Sequence, residues 1–423
     1  MGSFIGYPFF VYIDALSKQS TSINFALTNS AEKPMTSPLM TTYAPLPITF
    51  TKGEGVYLWD NTGKRYLDAV AGVAVCSLGH AHPVLADAIA DQARTLVHTS
   101  NLYQIEHQIE LGNTLCELSG LDKVFFSNSG AEANEAAIKL ARLYGKQQGI
   151  DRPNIIVACG SFHGRTLATL SATGNRKVQA GFSPLVDGFV RVNYNDVEAV
   201  EKVAETNSDV VAILVEPVQG EGGVIVPDAD YLKQLRDICD ANNWLLMLDE
   251  IQTGVGRTGE WFAFQHTDIT PDVMTLAKAL GNGVPIGACL AGGKAASIFT
   301  PGTHGSTFGG NPLATRAALT VLDVITKDNI VANAKTMGDY FVAEFKSKLA
   351  SASNVKDVRG SGLMIGIELT HDCGELVAAA SEKGLLINVT AGNTIRLLPP
   401  LVINKEQADE VIKIVSELIA SVS

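Results

Sequence analysis

The sequence predicts an α/β fold, with a mainly parallel sheet covered by helices on both faces and a smaller α/β unit beside it. Between Val124 and Leu280, short unbroken apolar runs alternate with amphipathic patterns, which is typical of parallel strands joined by helices. Several of these runs end abruptly in charged residues. After about residue 330 the pattern changes to separate short strands and a closing helix, which indicates the smaller unit.

Length and composition exclude several classes of protein. A chain of 423 residues exceeds one ordinary core, so two domains are expected. The hydrophobic content of 46% against 18% charged residues indicates a folded globular protein. The net charge of −12 argues against nucleic-acid and anionic-membrane partners. No apolar run reaches the length of a membrane span.

The cysteines, the histidines and the N-terminus give no sign of a disulfide framework, a metal site or a targeting signal. The 6 cysteines are scattered without a C-x-x-C pair, which favours reduced thiols in the cytoplasm. His80 and His82 form an H-x-H without other ligands nearby, so no metal is predicted. Residues 1–40 match neither a secretory signal nor a transit peptide and are interpreted as a flexible N-terminal extension.

The first folded elements precede the large sheet. Gly55 to Asp68 is predicted to be a hairpin closed by the turn Asp60–Gly63. The small, glycine-containing stretch from Ala69 to Pro83 is predicted to be a loop passing close to a ligand or a partner subunit. Two helices should follow, over residues 83–96 and 104–118.

A phosphate-binding turn is predicted where the first strand of the sheet meets its helix. The strand Val124–Phe126 leads through Ser129, Gly130 and Ala131 into an alanine-rich helix with acidic residues in its first turn. The free N–H groups and the positive dipole end of such a helix suit a phosphate. An ordinary helix cap is the alternative interpretation.

The next two strands place candidate ligand-binding residues at the same edge of the sheet. Asn154 to Ala158 leads to Phe162, which could lie on a flat cofactor, and Arg165, which could bind a carboxylate. Their alternatives are a core aromatic residue and a surface cation. Val210 to Val215 is a third buried strand that ends in Glu216.

The rest of the chain is organised around an acid and a lysine that follow two more buried strands. Trp244 to Leu248 ends in Asp249, and Val273 to Ala277 ends in Lys278. Ligand crevices of open α/β sheets lie at such carboxyl ends. A desolvated lysine is a nucleophilic amine, which suggests Schiff-base formation with pyridoxal phosphate while Asp249 binds the pyridinium nitrogen. The alternative is a common strand terminus and a surface lysine.

The C-terminal third adds further polar donors and the smaller unit. The loop from Gly302 to Pro312 carries Ser306 and Thr307, whose hydroxyls can bind a phosphate or carboxylate. Arg396 is the conspicuous basic residue on a predicted strand. The other elements predicted are helices from Leu313 and over Ile330–Ala350, strands over Gly362–Leu369, Leu385–Val389 and Ile395–Leu398, and a helix over Glu406–Ile419.

Together the motifs resemble the class III aminotransferases of fold type I, from about Tyr43 to the C-terminus. The segments that carry the resemblance include FFSNSGAEANEAAIKLAR, GSFHGRT, LVEPVQGEGG, LLMLDEIQTGVGRTG, LAKALGNGVPIGA and HGSTFGGNPLA, in this order. The resemblance implies pyridoxal 5'-phosphate as cofactor, a mainly parallel sheet of the seven-stranded type and a small domain built from both termini. The implied boundaries are 41–90 and 320–423 for the small domain and 91–319 for the large one.

The resemblance also implies residue roles. Lys278 would bind the cofactor and move a proton, Asp249 would hold the pyridine nitrogen protonated, and Glu216 would pair with Arg396 in one half-reaction. The implied cofactor-binding residues are Ser129, Gly130, Ala131, Phe162, Asp249, Glu250, Ile251, Gln252, Lys278 and, from the other subunit of a homodimer, Thr307. The implied substrate-binding residues are Arg165, Ser306, Glu216 and Arg396.

The substrates implied by the resemblance are N2-acetylornithine as amino donor and 2-oxoglutarate as acceptor, giving glutamate, in arginine biosynthesis. Succinylornithine or succinyldiaminopimelate are alternative donors, and so are ornithine or 4-aminobutyrate. A pyridoxal-phosphate enzyme of another reaction class, or a catalytically silent binding protein, is the remote alternative.

Overall fold

The computed structural model describes residues 38–422. Residues 38–46 form a separate unit of bends and extended chain without a helix or strand. All regular elements belong to the second unit, which starts at Pro47. Most of the predicted N-terminal extension, residues 1–40, lies outside the described residues.

The strands lie in three sheets. They are β1 (Phe50–Glu54), β2 (Tyr57–Asp60), β3 (Arg65–Asp68), β4 (Lys123–Ser127), β5 (Asn154–Ala158), β6 (Phe189–Val192), β7 (Val210–Val215), β8 (Leu245–Asp249), β9 (Val273–Leu276), β10 (Gly287–Ala291), β11 (Val355–Ser361), β12 (Met364–Leu369), β13 (Leu385–Leu386), β14 (Asn388–Thr390) and β15 (Thr394–Leu397).

The helices cover the sheets. They are α1 (Ala71–Ala74), α2 (Pro83–Thr95), α3 (Glu106–Ser119), α4 (Gly130–Gln147), α5 (Leu167–Ala172), α6 (Arg176–Gln179), α7 (Val197–Thr206), α8 (Tyr231–Asn242), α9 (Pro312–Lys327), α10 (Ile330–Lys348), α11 (Leu376–Glu382) and α12 (Lys405–Ser421), with short 3₁₀ helices at Ala263–His266, Lys278–Leu280 and Gly293–Ala295.

The large sheet has seven strands in the order β4-β10-β9-β8-β7-β5-β6. The pairs β6/β5, β5/β7, β7/β8 and β8/β9 are parallel, whereas β10 runs antiparallel to both its neighbours. The mainly parallel sheet is thereby confirmed. The reversal of β10 follows from its short connection, residues 277–286, because a parallel return needs a crossover of a dozen residues or more.

The two smaller sheets have the orders β1-β2-β3-β13 and β11-β12-β15-β14. The predicted hairpin is β2 and β3, which pair antiparallel. Strand β13 pairs parallel with β3, so a C-terminal segment completes the N-terminal sheet. The single strand predicted over Leu385–Val389 is wrong, because the chain forms β13 in one sheet and β14 in another. The domain boundaries at residues 90 and 319 stay predictions.

The core lies on both faces of the large sheet. Every residue of β7, β8 and β9 is buried, which explains their unbroken apolar sequences. Helices such as α4 and α8 bury an apolar stripe on the sheet and leave their polar faces in solvent. Within residues 38–422, none of the helices combines the length and apolar character that crossing a membrane would take.

Candidate active site

The ends of four parallel strands bring the predicted residues together. Strands β5, β7, β8 and β9 run in one direction, so the residues that follow them share one edge of the sheet. The backbone N–H of Phe162, after β5, donates to the Glu216 carboxylate, after β7, at 3.1 Å. Asp249 ends β8, and Lys278 begins the 3₁₀ helix directly after β9.

Asp249 is a buried carboxylate held by three donors. Its Oδ2 lies 2.7 Å from both His163 Nδ1 and Asn134 Nδ2, and its Oδ1 accepts the Ile251 N–H at 3.1 Å. An ionised carboxylate can only accept, so His163 donates through Nδ1. The carboxylate is thus fixed in orientation and keeps lone pairs for one further cationic donor, such as a pyridinium N–H.

His163 and Asn134 are functional residues that the sequence reasoning missed. The Asn134 amide also donates to the His163 carbonyl at 2.8 Å, and its Oδ1 accepts from the Thr275 hydroxyl at 2.8 Å. His163 is buried, and its Nε2 has no hydrogen-bond partner in the described chain. Asn134 lies inside a helix and Thr275 inside an apolar strand, so no spacing in the sequence relates them to Asp249.

Lys278 has a strained backbone and a perturbed amine. Its φ of 41° lies in the left-handed region, which non-glycine residues adopt at a cost and which clusters at functional sites. Desolvation is the main cause that holds the pKa of its ammonium below the ordinary value, and the nearby Arg396 charge adds to this. Glu221, Asp249 and Glu216 oppose the shift. The desolvated amine is therefore easier to deprotonate than that of a surface lysine.

Glu216 binds backbone and not Arg396. Its two carboxylate oxygens accept the N–H of Phe162 at 3.1 Å and of Gly220 at 3.2 Å. Burial raises the pKa of this carboxyl to about 7, with the Asp249 charge adding to the rise. Glu216 therefore joins the loop after β5 to the loop after β7.

Arg396 pairs with Glu221, and this corrects the predicted pairing with Glu216. The Nη1 of the buried Arg396 lies 2.7 Å from Glu221 Oε1 and 3.4 Å from Gln252 Oε1. Its Nη2 and Nε donate to Asn388 Oδ1 at 2.7 and 3.2 Å. Asn388 is the cross-strand partner of Arg396 on β14, which fixes the guanidinium in the site.

The N-terminus of α4 carries the predicted phosphate-binding residues, and their contact with a phosphate stays a prediction. Ser129 caps the helix by accepting the Glu132 N–H at 3.2 Å. The first-turn N–H groups of Gly130 and Ala131 have no acceptor within a helix and point outward. A Cβ on Gly130 would lie 2.8 Å from the Ile251 side chain, which would have to shift to admit alanine. These donors and the helix dipole suit the phosphate of a cofactor.

Glu250 turns away from the donors that surround Asp249. Its buried carboxylate accepts the N–H of Ala263 at 2.9 Å, the N–H of Phe264 at 2.9 Å and the Thr253 hydroxyl at 2.5 Å. Burial raises the pKa of this carboxyl to about 7. Its described contacts hold the connection after β8, and a contact with a cofactor stays a prediction.

The remaining predicted residues lie at the rim. The exposed Arg165 guanidinium stands 5.8 Å from the centre of the Phe162 ring. Ser306 Oγ accepts from Asn128 Nδ2 at 3.2 Å, and the neighbouring Thr307 is exposed. Both flank a cavity with an open volume of about 360 Å³ beside the start of α4. Their substrate and cross-subunit roles stay predictions.

A left-handed turn follows β3, and the sequence reasoning placed only a loop there. Ala71, Gly72, Val73 and Ala74 all have positive φ, between 50° and 64°. Such a run is costly for alanine and especially for the β-branched Val73. Hydrogen bonds from the Val75 and Cys76 N–H groups to the Ala71 carbonyl, both 2.8 Å, close the turn.

A family model described as "Aminotransferase class-III" matches residues 40–419. The chain belongs to the class III aminotransferases. It is 62% identical over 383 residues to an acetylornithine aminotransferase from Nitrosomonas europaea, covering 90% of this chain and 98% of that protein. An acetylornithine aminotransferase 1 from Bordetella parapertussis is 53% identical, with 91% and 98% covered.

Solved structures of this class share the fold. An ornithine aminotransferase from Toxoplasma gondii ME49 has a TM-score of 0.88 at 35% identity, covering 91% of this chain and 93% of that one. An acetylornithine aminotransferase from Elizabethkingia anophelis has a TM-score of 0.81 at 37% identity, with 90% and 96% covered. Family membership confirms the predicted fold, the transaminase class and the dependence on pyridoxal phosphate.

The residues present fit this cofactor. The fixed Asp249 carboxylate, the lysine with a lowered pKa and the open N-terminus of α4 lie around one edge of the sheet. Each matches a different chemical part of the cofactor, namely the pyridine nitrogen, the aldehyde and the phosphate. The described residues contain no cluster of three or more acidic, histidine or cysteine side chains that could bind a metal ion.

Proposed function

We propose that this aminotransferase transfers the δ-amine of N2-acetylornithine to 2-oxoglutarate, with glutamate and N-acetylglutamate 5-semialdehyde as products. The observation that carries the proposal is the 62% identity over nearly the whole length of a protein named acetylornithine aminotransferase. The Arg396–Glu221 pair supports it, because a site that accepts two differently charged substrates needs a cation whose charge can be masked.

Pyridoxal phosphate, when bound, supplies an electron sink for the carbon that loses its proton. Asp249 keeps the pyridine nitrogen protonated, and His163 with Asn134 fixes the carboxylate that does so. Lys278 carries the proton, because its lowered pKa favours the free amine, which can accept one. Phe162 covers the ring face, and its backbone is held in place by Glu216.

Arg396 binds a carboxylate of the acceptor in this proposal. When the donor occupies the site, Glu221 neutralises the guanidinium at 2.7 Å, and Asn388 holds its position. When 2-oxoglutarate enters, Glu221 gives way and a substrate carboxylate takes its place. Glu221 can move because its side chain is 36% exposed, whereas Arg396 is buried. Arg165 binds the other carboxylate end at the rim.

The working assembly in this proposal is a cytoplasmic homodimer. Phe308, next to Thr307, is exposed, and so are Leu102 and Tyr103, which follow Asn101, whose amide donates to the Ser306 carbonyl at 3.1 Å. A partner subunit would cover these apolar side chains. The phosphate site at Gly130 would then receive the partner's Thr307 hydroxyl. The place of the reaction in this proposal is arginine biosynthesis, where the reverse reaction supplies N2-acetylornithine.

The test is kcat/KM for N2-acetylornithine against free ornithine, with 2-oxoglutarate as the acceptor. A strong preference for the acetylated donor supports the proposal. A preference for ornithine would leave the transaminase chemistry in place and change the donor to ornithine, the substrate after which the Toxoplasma gondii enzyme with the same fold is named. Succinylated donors are measured in the same series, because the acyl group is what distinguishes these substrates.

A further inference from the structure

Arg257 is a buried guanidinium in the connection after β8, with a relative exposure of 0%. Its described hydrogen bonds all go to uncharged oxygens. Nη1 donates to the carbonyls of Leu363 at 3.0 Å and Pro399 at 2.6 Å, and Nη2 donates to Ser77 Oγ at 3.4 Å. Burial lowers the pKa of this guanidinium to about 9.

Within residues 38–422 no carboxylate pairs with Arg257, and its buried Nε has no partner there. A buried charge without a counter-ion is costly, and an apolar side chain of similar volume would fill the same space at lower cost. What an apolar side chain cannot do is donate to two carbonyl groups, as Nη1 does here while Nη2 donates to Ser77 Oγ. We therefore relate the role of Arg257 to the two carbonyl groups that it binds.

Those carbonyls belong to segments next to the active site. Pro399 lies just beyond the end of β15, three residues after Arg396, and Leu363 lies in the turn between β11 and β12. Arg257 itself lies in the connection that begins at Asp249 and includes Gln252, whose Oε1 accepts from Arg396. Arg257 thus bridges the backbone after the cofactor-binding strand and the backbone after the Arg396 strand.

The bridge is reinforced by direct backbone contact. The Leu363 N–H donates to the Arg257 carbonyl at 3.0 Å, so the two residues exchange hydrogen bonds in both directions. Gly362 has a φ of +52°, and a Cβ there would lie 2.6 Å from the Arg257 carbonyl oxygen. No side chain fits between the turn and the connection, which leaves little freedom for sliding.

We propose that Arg257 is a positioning residue that fixes the end of β15 and thereby aims Arg396 at the carboxylate of the acceptor. It touches neither substrate nor cofactor and acts through the Pro399 carbonyl. The inference rests on the proposed function, in which Arg396 binds 2-oxoglutarate. In this proposal the binding of the acceptor depends on Arg257 strongly. The binding of the cofactor and the turnover of the donor depend on it less.

The test compares Arg257→Lys with the wild-type holoenzyme. Lysine keeps the charge but lacks the planar guanidinium that reaches the two carbonyls and Ser77 Oγ together. The KM for 2-oxoglutarate should therefore rise roughly ten- to hundredfold, as expected if Arg396 is displaced by about 1 Å. The visible absorption of the bound cofactor and kcat/KM for N2-acetylornithine should stay unchanged. Arg236→Lys is the matched control, because Arg236 is also largely buried but has carboxylate partners. It pairs with Asp240 on α8 and with Asp272 in the loop before β9.

A double-mutant cycle shows whether Arg257 acts through Arg396. In an Arg396→Lys background, itself impaired for 2-oxoglutarate, Arg257→Lys should raise the KM no further, because both substitutions disturb the same contact. Additive effects on the KM overturn the inference. So does an unchanged KM with only a lowered melting temperature, or a loss of the cofactor absorption.

A milder variant covers the case in which Arg257→Lys does not fold. Ser77→Ala removes one hydroxyl that accepts from the guanidinium and should raise the KM for 2-oxoglutarate in the same direction by a smaller factor, and an unchanged KM overturns the inference. The proposed function fails in a different way. Wild-type enzyme without turnover of 2-oxoglutarate, or Arg396→Lys with an unchanged KM, refutes that premise itself.

Discussion

Glu221→Gln should shift the balance between the two half-reactions of this aminotransferase. In the wild type, the acceptor's carboxylate must displace Glu221 from Arg396, where the ion pair measures 2.7 Å. Glutamine keeps the shape of the side chain but removes the competing charge. We therefore expect kcat/KM for 2-oxoglutarate to rise and kcat/KM for N2-acetylornithine to fall, because an unmasked guanidinium attracts the donor's carboxylate into the wrong place.

The magnitude follows from the burial of the two partners. Removing one partner from a fully buried ion pair costs about 3–5 kcal/mol, and an exposed pair is worth less than about 1 kcal/mol. Arg396 is buried but Glu221 is 36% exposed, so the pair lies between these limits. About 1–2 kcal/mol corresponds to a change of roughly five- to thirtyfold in each kcat/KM.

The assay measures each half-reaction separately, as ping-pong kinetics allow. Glu216→Gln is the matched control, because Glu216 is the other acid of the same segment. Within residues 38–422 its carboxylate accepts hydrogen bonds from the backbone of Phe162 and Gly220. Its loss should lower both kcat/KM values together and leave their ratio unchanged. A ratio that shifts in Glu216→Gln and not in Glu221→Gln would refute the assignment of the pair.

Three further predictions test the rest of the site. Lys278→Ala should abolish the visible absorption of the lysine-bound cofactor and cost at least about 10²–10⁴-fold in turnover. Lys294→Ala, at a lysine bound to a backbone carbonyl, is its control, and retained turnover in Lys278→Ala would exclude the catalytic role. Gly130→Ala should weaken cofactor affinity, because its Cβ would lie 2.8 Å from Ile251. An unchanged dissociation constant would contradict a phosphate site at the N-terminus of α4. For Glu216, burial raises the pKa from 4.5 to about 7, so the folded state binds its proton more tightly than the unfolded chain does. The resulting stability is complete below pH 4.5 and is lost as the pH rises to about 7, so Glu216→Gln should flatten the fall in Tm over that range, and an equally steep fall would show that this carboxyl does not titrate there.

The sequence predicted best where strands are buried on both faces. The predicted bounds of β5 and β7 match the structure, because continuous apolar runs between loops leave little choice. It missed β1, β6, β10 and β11, of which β1 lies at the edge of the N-terminal sheet. Strands β6 and β11 lie at sheet edges, and β11 carries charged residues that interrupt any alternation. β10 consists mostly of small residues, which give no clear strand signal.

Candidate residues could be predicted from the sequence where they stand at the carboxyl end of a buried strand. Asp249 and Lys278 stand at the carboxyl ends of buried strands, a position that itself indicates a ligand crevice. His163 and Asn134 were not predictable, because their contact with Asp249 joins residues 86 and 115 positions away through the packing of α4 on the sheet. Spacing along the chain does not encode such contacts.

The choice between Glu216 and Glu221 shows where sequence reasoning stops. Both acids lie within one short segment, and either has the chemistry to pair with Arg396. Glu216 directly follows β7, so the register of the large sheet directs it toward the backbone of the neighbouring loop. Glu221 lies five residues further on, where its carbonyl accepts from the Thr390 hydroxyl of β14 at 2.5 Å.

That contact attaches the Glu221 segment to the sheet that carries Arg396. Arg359 of β11 donates to the carbonyls of Gly223 at 2.7 Å and Val224 at 2.9 Å. Two strands of the sheet β11-β12-β15-β14, here called the small sheet, thus bind the segment that contains Glu221. Arg396 sits on β15 of that sheet, opposite Asn388. Glu221, whose backbone is bound to the small sheet, therefore pairs with the Arg396 guanidinium. Glu216 directly follows a strand of the large sheet and binds the backbone there. The pairing is therefore decided by which sheet holds each backbone, and a motif of single letters does not carry that information.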